Sequence, residues 1–223
     1  MEIREYLSIR RAYNLVRQDA DAPLRLTFSE FAILCRLDVA GGSLKTSDIA
    51  DYQGSLRPTM THRTKHLETL GLIERIKGDL DRRNVVCQVT DQGSECVKSL
   101  CERTCAMIPA GQALSRVSPE RMRRYVDAMG SISCMSGELI LLGLYAHGSG
   151  CSVTELVDSL GLLQPTVSMS VASLVEDGLL ERTQVQDAPR SVCVAMTDDG
   201  RALATSVAEQ VESLVVRRKA RMN

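Results

Sequence analysis

Aromatic residues are scarce in this 223-residue chain, which has no tryptophan, two phenylalanines and five tyrosines. A ligand held by ring stacking would therefore depend on very few side chains. Long apolar runs are also absent: the longest extends from Leu139 to Ala146 and includes Gly143. A membrane-spanning helix needs roughly 20 apolar residues, so no membrane partner is predicted. Three of the first five residues are charged where a secretion signal needs an apolar core, and we expect a cytoplasmic protein.

Sequence motifs typical of enzymes are missing as well. No glycine-rich phosphate loop follows a strand pattern, and neither a nucleophile elbow nor a metal-protease motif is present. The carboxylates are scattered over helix faces, which is where they stand in most proteins. The sequence therefore predicts a protein that is not an enzyme and needs no cofactor.

Eight cysteines are present, but their spacing suits neither zinc ligation nor a disulfide framework. They are expected to be thiols, and two interpretations stay open. They form a redox or metal sensor, or they are small buried apolar side chains, and the second interpretation is favoured. His62 and His66 stand four residues apart, yet no third ligand is evident, so no metal site is predicted.

Charge of one sign does not dominate the chain, whose net charge is −1 at pH 7. This balance argues against a uniformly basic surface that coats nucleic acid, so any basic footprint must be local. Hydrophobic residues make up 44% of the chain and charged residues 25%, as in ordinary globular proteins. The length suits one large domain or two units of about 100 residues each.

An internal repeat is present, with a constant offset of 107 residues and no gap. Chance would not keep one register over so long a segment, so the chain contains a duplicated unit. The offset pairs Pro58-Thr59 with Pro165-Thr166, Gly71-Leu72 with Gly178-Leu179, Glu74-Arg75 with Glu181-Arg182, Arg83 with Arg190, Thr90-Asp91 with Thr197-Asp198, and Gly93 with Gly200.

Each repeat has the pattern of three helices followed by a β-hairpin. The third helix begins at Pro58 or Pro165, because proline fits the first turn of a helix. In the first repeat this helix turns Met60, Thr64 and Leu67 inward, and the second repeat has the same spacing. The pattern predicts a mainly α fold with small β-hairpin wings (α+β), in which long helices join two winged helix-turn-helix units. A three-helix core with a decorative hairpin is the alternative.

Longer amphipathic helices flank the repeats: one over residues 2–17, one from Asp91 to Ala113, and one that begins at Ser118. We therefore predict a first winged unit with the N-terminal helix at residues 1–114 and a shared connecting helix at 115–131. The second winged unit with the C-terminal helix follows at 132–223.

The repeated motifs resemble the multiple antibiotic resistance regulator (MarR) family. In the first repeat the motifs are Leu67-Glu68-x-x-Gly71-Leu72-Ile73-Glu74-Arg75, Asp81-Arg82-Arg83 and Val89-Thr90-Asp91-Gln92-Gly93. The resemblance implies one winged unit per chain, dimers formed through the terminal helices, and regulators, mostly repressors, that bind palindromic DNA. It also implies release when a small, often phenolic, molecule or an oxidant binds. This chain departs by fusing two units, so we expect an intrachain pseudo-dimer; whether it forms a further homodimer stays open.

Candidate DNA-binding residues lie on the outer face of each third helix and in each wing. In the first repeat they are Arg57, Thr59, Thr61, His62, Lys65, Lys77, Arg82 and Arg83, where the family's wing arginine maps onto Arg83 with Arg82 as the alternative. In the second repeat they are Gln164, Thr166, Ser168 and Arg190. Candidate residues for a small-molecule effector are Tyr6, Tyr13, Tyr125 and Met129, for which core packing is the alternative.

The two repeats differ in charge. Residues 57–83 contain seven Lys and Arg against four Asp and Glu, a net charge of +3, whereas residues 164–190 contain two against four, a net charge of −2. Because affinity for the DNA backbone follows the number of phosphates neutralised, the second repeat is expected to contribute less. The DNA site is then asymmetric, or the second repeat has lost base contact.

Together these patterns predict a DNA-binding transcription regulator with double-stranded DNA as its partner. A winged-helix module that contacts another protein, with little or no DNA binding, is the alternative.

Overall fold

The computed structural model describes residues 1–22, 25–77, 85–132, 134–185 and 188–216, and it leaves undescribed the side chains of 184–185 and 188–192. In chain order the elements are α1 (Ile3–Gln18), α2 (Phe28–Ala40), β1 (Leu44–Lys45), α3 (Thr46–Tyr52), α4 (Arg57–Thr69), β2 (Ile73–Lys77), β3 (Val85–Val89), α5 (Asp91–Ala106), α6 (Pro119–Met129), α7 (Ser136–His147), β4 (Cys151–Ser152), α8 (Val153–Leu160), α9 (Gln164–Glu176), β5 (Leu180–Val185), β6 (Ala188–Met196) and α10 (Asp198–Glu212). The predicted fold class is confirmed: the chain is mainly helical, with two small antiparallel sheets.

The chain divides into two compact units. The first winged unit takes the described residues of Val16–Gly111 and Ser115–Ser133, with residues 215–216. The second winged unit takes Met1–Leu15, Gln112–Leu114 and the described residues of Cys134–Leu214.

In the first winged unit, α2 is the central helix. Thr27 caps its first turn, and the Glu30 side chain accepts a hydrogen bond from the Thr27 amide in return. The helix ends at Gly41, whose φ of 64° suits glycine. Between these ends α2 buries Phe31, Ile33 and five further residues, because it packs against α4, α5 and α6. The strands form one antiparallel sheet in the order β1-β3-β2.

The second winged unit repeats this plan with α7, α8 and α9 and a sheet in the order β4-β6-β5. Ser152 and Glu155 form a capping box at the start of α8. Helix α10 packs against α7. The third helices of both units have the predicted inward faces: Met60, Thr64 and Leu67 are buried on α4, and Val167, Val171 and Leu174 are buried on α9.

The N-terminal segment does not follow the predicted division, which placed residues 1–114 together. Residues Met1–Leu15 group with the second winged unit. There the Asn14 side chain donates to the Leu160 carbonyl at 2.9 Å, and Arg11 donates to the Asp158 carbonyl at 2.8 Å. These carbonyls belong to the last turn of α8, where helical carbonyls lack partners within their own helix. The amphipathic pattern of α1 predicted a packed helix but did not identify its partner.

Two further boundaries differ from the prediction. Helix α5 ends at Ala106 instead of Ala113. Pro109 disfavours helical backbone at the residue before it, and Gly111 has a φ of 84°. The connecting segment predicted at 115–131 contains α6, which begins at Pro119 after its Ser118 cap. Residues Ser115–Ser133 group with the first winged unit, where α6 packs on α2 and α5, so this helix is not shared equally.

In each unit a threonine and a glycine connect the start of the wing to the start of the helix that follows the wing. In the first unit Thr90 Oγ1 donates to the Gly71 carbonyl at 2.7 Å and accepts from the Gly93 amide at 3.0 Å. Thr197 makes the same two bonds, to Gly178 at 2.8 Å and from Gly200 at 3.1 Å. A Cβ added to Gly93 would overlap the Leu72 carbonyl oxygen, so the backbones touch directly. The repeated Thr-Asp-x-Gly motif is therefore required by packing.

We predict that Gly93→Ala lowers the unfolding free energy of the first unit by about 1–3 kcal/mol, because the added methyl group meets backbone that cannot move aside. The control is Gly42→Ala, since a Cβ there would meet nothing within 4 Å and no positive φ is found at that residue. Urea unfolding followed by circular dichroism measures both. Equal midpoints for the two variants would contradict the prediction.

Candidate nucleic-acid interface

Helix α4 presents most of the predicted contact residues of the first unit on one exposed face. Its inward face is held by Met60, Thr64 and Leu67, and Thr64 Oγ1 donates to the Met60 carbonyl at 2.9 Å. On the opposite side Arg57, Thr59, His62 and Lys65 are exposed, and Thr61 is half-buried. The helix carries no acidic residue in its first turn, so its N-terminal end keeps a positive potential.

A groove separates α4 from the wing. Its volume is about 470 Å³ and its lining residues are Lys65, Glu68, Thr69, Arg75, Lys77 and Val85. The two predicted residues Lys65 and Lys77 thus meet in one cavity although they belong to different elements. Arg82 and Arg83, predicted to lie in the wing, fall outside the described residues.

Arg75 is not among the contact residues predicted from the sequence. The Arg75 side chain is only 9% exposed, and its Nη1 donates to Glu68 Oε2 at 3.2 Å. The repeat pairs Glu74-Arg75 with Glu181-Arg182, but that signal indicated only a conserved strand position between the two units. The burial comes from α4, which β2 follows closely.

The position of α4 is also held by a hydrogen bond between His66 and Glu30 of α2. His66 Nδ1 lies 2.6 Å from Glu30 Oε1, while Glu30 Oε2 accepts from the Thr27 amide at 2.7 Å. Burial raises the pKa of Glu30, but the hydrogen bonds from His66 and Thr27 outweigh it and hold the pKa below its ordinary value. His66 thus pairs with a carboxylate of the core. Among the residues that the structure describes, no group of three metal-ligating side chains is found.

We predict that Glu30→Gln destabilises the first unit by about 1–2 kcal/mol at neutral pH, because a buried carboxylate that accepts several hydrogen bonds is lost. Since folding lowers the pKa of Glu30, its stabilisation is present above the ordinary value of 4.5 and is lost as the pH falls through the lower folded value. The stability gap between the parent and the variant should therefore narrow below that pH.

Unfolding midpoints measured between neutral and acid pH test this. Glu155→Gln is the control, because Glu155 forms the corresponding type of cap at an exposed position, where a histidine, His147, acts on it through charge and not through a hydrogen bond. A gap that stays constant as the pH falls would show that the Glu30 charge contributes nothing.

In the second unit, α9 offers different chemistry at the same place. Gln164 and Ser168 are exposed and Thr166 is half-buried, as the prediction of an outer face requires. Met169, which is 74% exposed, and Leu163, which is 55% exposed, add apolar surface. Arg190 belongs to β6, but its side chain is outside the described part of the chain.

The four candidate effector residues are core residues. Tyr6, Tyr13, Tyr125 and Met129 are between 0% and 4% exposed. None of them lines either of the two cavities described here. The second cavity, of about 320 Å³, lies in the first unit between α2, α5 and α6. At its base Arg123 pairs with Asp38, and Ser94 donates to Asp38 at 3.0 Å.

All eight cysteines are free thiols. Cys35, Cys87, Cys101 and Cys151 are buried, and the other four are partly buried. Burial raises the pKa of the Cys105 and Cys151 thiols to about 11, so the reactive thiolate is disfavoured at these positions. This agrees with the interpretation of the cysteines as small packing residues. Among the described helices, none is long and apolar enough to span a membrane.

Both repeats match models of the MarR family, over residues 26–85 and 139–191. Together the matches span just over half of the chain, and each contains one of the helix–wing arrangements described above. The chain belongs to the MarR family, whose members are transcription regulators, and it carries two family units in tandem.

Individual relatives each cover between 41% and 52% of this chain. An uncharacterized HTH-type transcriptional regulator of Bacillus subtilis, YfiV, is 29% identical over 92 residues, which are 41% of this chain and 56% of YfiV. The chain thus spans about half the length of this curated relative. Among solved structures, the YusO protein of Bacillus subtilis is 24% identical with a TM-score of 0.40, over 52% of this chain and 78% of YusO. A mutant of S. aureus MepR bound to an oligodeoxyribonucleotide is 23% identical with a TM-score of 0.32, over 44% and 75%.

Proposed function

We propose that this chain is a transcription regulator that binds double-stranded DNA mainly through its first winged unit and catalyses no reaction. The observation that carries the proposal is the exposed cationic face formed by α4 and β2. Arg57 and Lys65 are exposed on the helix, and Lys77 is exposed at the end of the strand. A helix of this kind fits the major groove, and a neighbouring hairpin then reaches the backbone.

The contrast between the units supports an unequal division of DNA contact. At the positions of Arg57, Lys65 and Lys77 the second unit has Gln164, Ala172 and Gln184. Three positive charges are thus replaced by neutral side chains on the same scaffold. Because each neutralised phosphate releases counterions, this loss weakens backbone binding. We therefore propose an asymmetric DNA site, to which the second unit contributes less than the first.

The cavity of about 320 Å³ in the first unit is the candidate site for a small-molecule effector. It is enclosed by α2, α5 and α6, and α2 also contacts α4. A ligand that shifts α2 would therefore act on the helix proposed to bind DNA. The lining contains both carboxylates and cations, so it suits a polar ligand better than an apolar one.

We predict that Arg57→Ala weakens binding of the full chain to a duplex about fivefold to tenfold at 0.1 M salt and lowers the slope of log affinity against log salt by about one, as expected for one lost phosphate contact. Lys98→Ala is the matched control, because Lys98 is 61% exposed on α5 of the same unit, away from α4. Fluorescence anisotropy of a labelled duplex between 50 and 200 mM salt measures both. Absence of salt-dependent binding by the parent chain would overturn the proposal.

The exposed apolar side chains of α9 favour a second candidate function, contact with another protein. Met169, which is 74% exposed, stands where the first unit has the polar His62, so the second unit is less suited to DNA at this position. Paired substitutions separate the two functions. If DNA contact is the function, Arg83→Ala abolishes most duplex binding with folding intact, and Arg190→Ala has a smaller effect. Unchanged duplex binding in Arg83→Ala would favour the protein-contact module.

A further inference from the structure

The groove between α4 and the wing has a guanidinium at its wall that lacks part of its hydrogen bonding. Arg75 is nine-tenths buried, and it donates from Nη1 to Glu68. Its Nε is fully buried and has no hydrogen-bond partner among the described residues. Its cross-strand neighbour, Cys87, contacts it through a thiol, and the Arg75 charge and this contact lower the thiol pKa against the larger opposite effect of burial. A thiol is only a weak acceptor, so it does not replace the oxygen partner that Nε lacks. A buried N–H without an oxygen acceptor costs free energy, so a rearrangement of the guanidinium that gives it a stronger acceptor at the groove would be favoured.

Charge selects the kind of acceptor. Among the described residues, the groove is lined by three cations, Lys65, Arg75 and Lys77, and by one carboxylate, that of Glu68. Arg75 brings a planar fork of donors, which matches the oxygens of a phosphate, and the lysines add two point charges from different elements. A neutral or cationic ligand would gain nothing from this lining.

We infer that the groove seats one phosphate of the DNA backbone, with Arg75 as the anchoring donor between Lys65 and Lys77. This inference rests on the proposed function, because it takes the duplex as the ligand. The place is suitable, since a helix in the major groove and a hairpin over the adjacent minor groove have a phosphate strand between them. Arg75 then belongs to the positioning contacts that fix the unit on the duplex.

In the absence of a bound phosphate, Glu68 accepts the hydrogen bond from Arg75. Its side chain is 43% exposed, so it can turn toward water when a phosphate arrives. Glu68 therefore competes with the phosphate for the same guanidinium. This competition gives substitutions at Glu68 and Arg75 opposite signs, which a purely structural ion pair would not do.

The second unit supplies a natural comparison. At the positions of Lys65, Glu68, Thr69 and Lys77 it has Ala172, Val175, Glu176 and Gln184, so only the arginine remains, as Arg182. Arg182 is exposed, in contrast to the buried Arg75. The same backbone position therefore carries an arginine without the surrounding cations, and no phosphate seat is inferred there.

The test compares Arg75→Gln, Glu68→Gln and Arg182→Gln in the full chain, using a labelled duplex of about 30 base pairs with mixed sequence over a range of potassium chloride concentrations. Arg75→Gln should weaken binding about fivefold to tenfold at 0.1 M salt and lower the salt slope by about one. Glu68→Gln should bind as tightly as the parent or more tightly. Arg182→Gln removes the same charge and should change neither value appreciably.

Three results would overturn the inference while leaving the proposed function intact. Equal losses of duplex affinity in Arg75→Gln and Arg182→Gln would indicate that only the total charge of the chain matters. Equal losses in Arg75→Gln and Glu68→Gln, with lowered unfolding midpoints, would indicate a structural ion pair. Calorimetric titration with inorganic phosphate at constant ionic strength forms the third arm: binding that requires Arg75, without a change in the duplex salt slope, would assign the groove to a free phosphate-bearing ligand.

Discussion

The direct contact between the start of each wing and the start of the following helix constrains the rest of each unit. In the first unit the Gly93 backbone lies against the Leu72 carbonyl, and Thr90 ties Gly71 to the helix. Only a few residues separate the end of α4 at Thr69 from the start of β2 at Ile73. Fixing that junction therefore fixes the wing relative to α4, and with it the groove that Lys65 and Lys77 line.

The duplication has preserved this junction while the side chains around it have diverged. Thr197 and Gly200 reproduce the bonds of Thr90 and Gly93 in the second unit. The hydrogen bond between Glu30 and His66 has no counterpart there, because the corresponding residues are Gly137 and Ser173. Backbone geometry and surface charge are thus separate properties of this fold. Both units have the same backbone geometry at this junction, whereas only the first unit has the cationic surface.

Local patterns in the sequence predicted the elements well, and long-range partners poorly. The repeat register, the proline at the start of each third helix and the inward face of α4 were all visible in the sequence, because each depends on residues a few positions apart. The pairing of His66 with Glu30 spans 36 positions and left no periodic signal. The burial of Arg75 depends on how closely β2 follows α4, and an alternating strand pattern does not encode this. Helix α5 was predicted too long because the apolar pattern continues past Pro109. Proline disfavours helical backbone at the residue before it, so the helix ends earlier.

The assignment of α1 had a similar cause. Its stripe of apolar residues predicted a buried face, but either unit would have satisfied that pattern. Polar side chains determine which unit α1 joins, because Arg11 and Asn14 donate hydrogen bonds to carbonyls at the end of α8. Such contacts depend on the three-dimensional arrangement of the helices, so the sequence pattern does not predict them.

Neither unit is therefore a continuous stretch of polypeptide. The amino group of Met1 donates to the Leu214 carbonyl at 2.9 Å, so the second unit is closed by its first and last described residues. During synthesis α1 leaves the ribosome before α8, whose carbonyls it binds, has been made. A cut of the chain between the repeats would therefore separate the second unit from the helix that binds the end of α8.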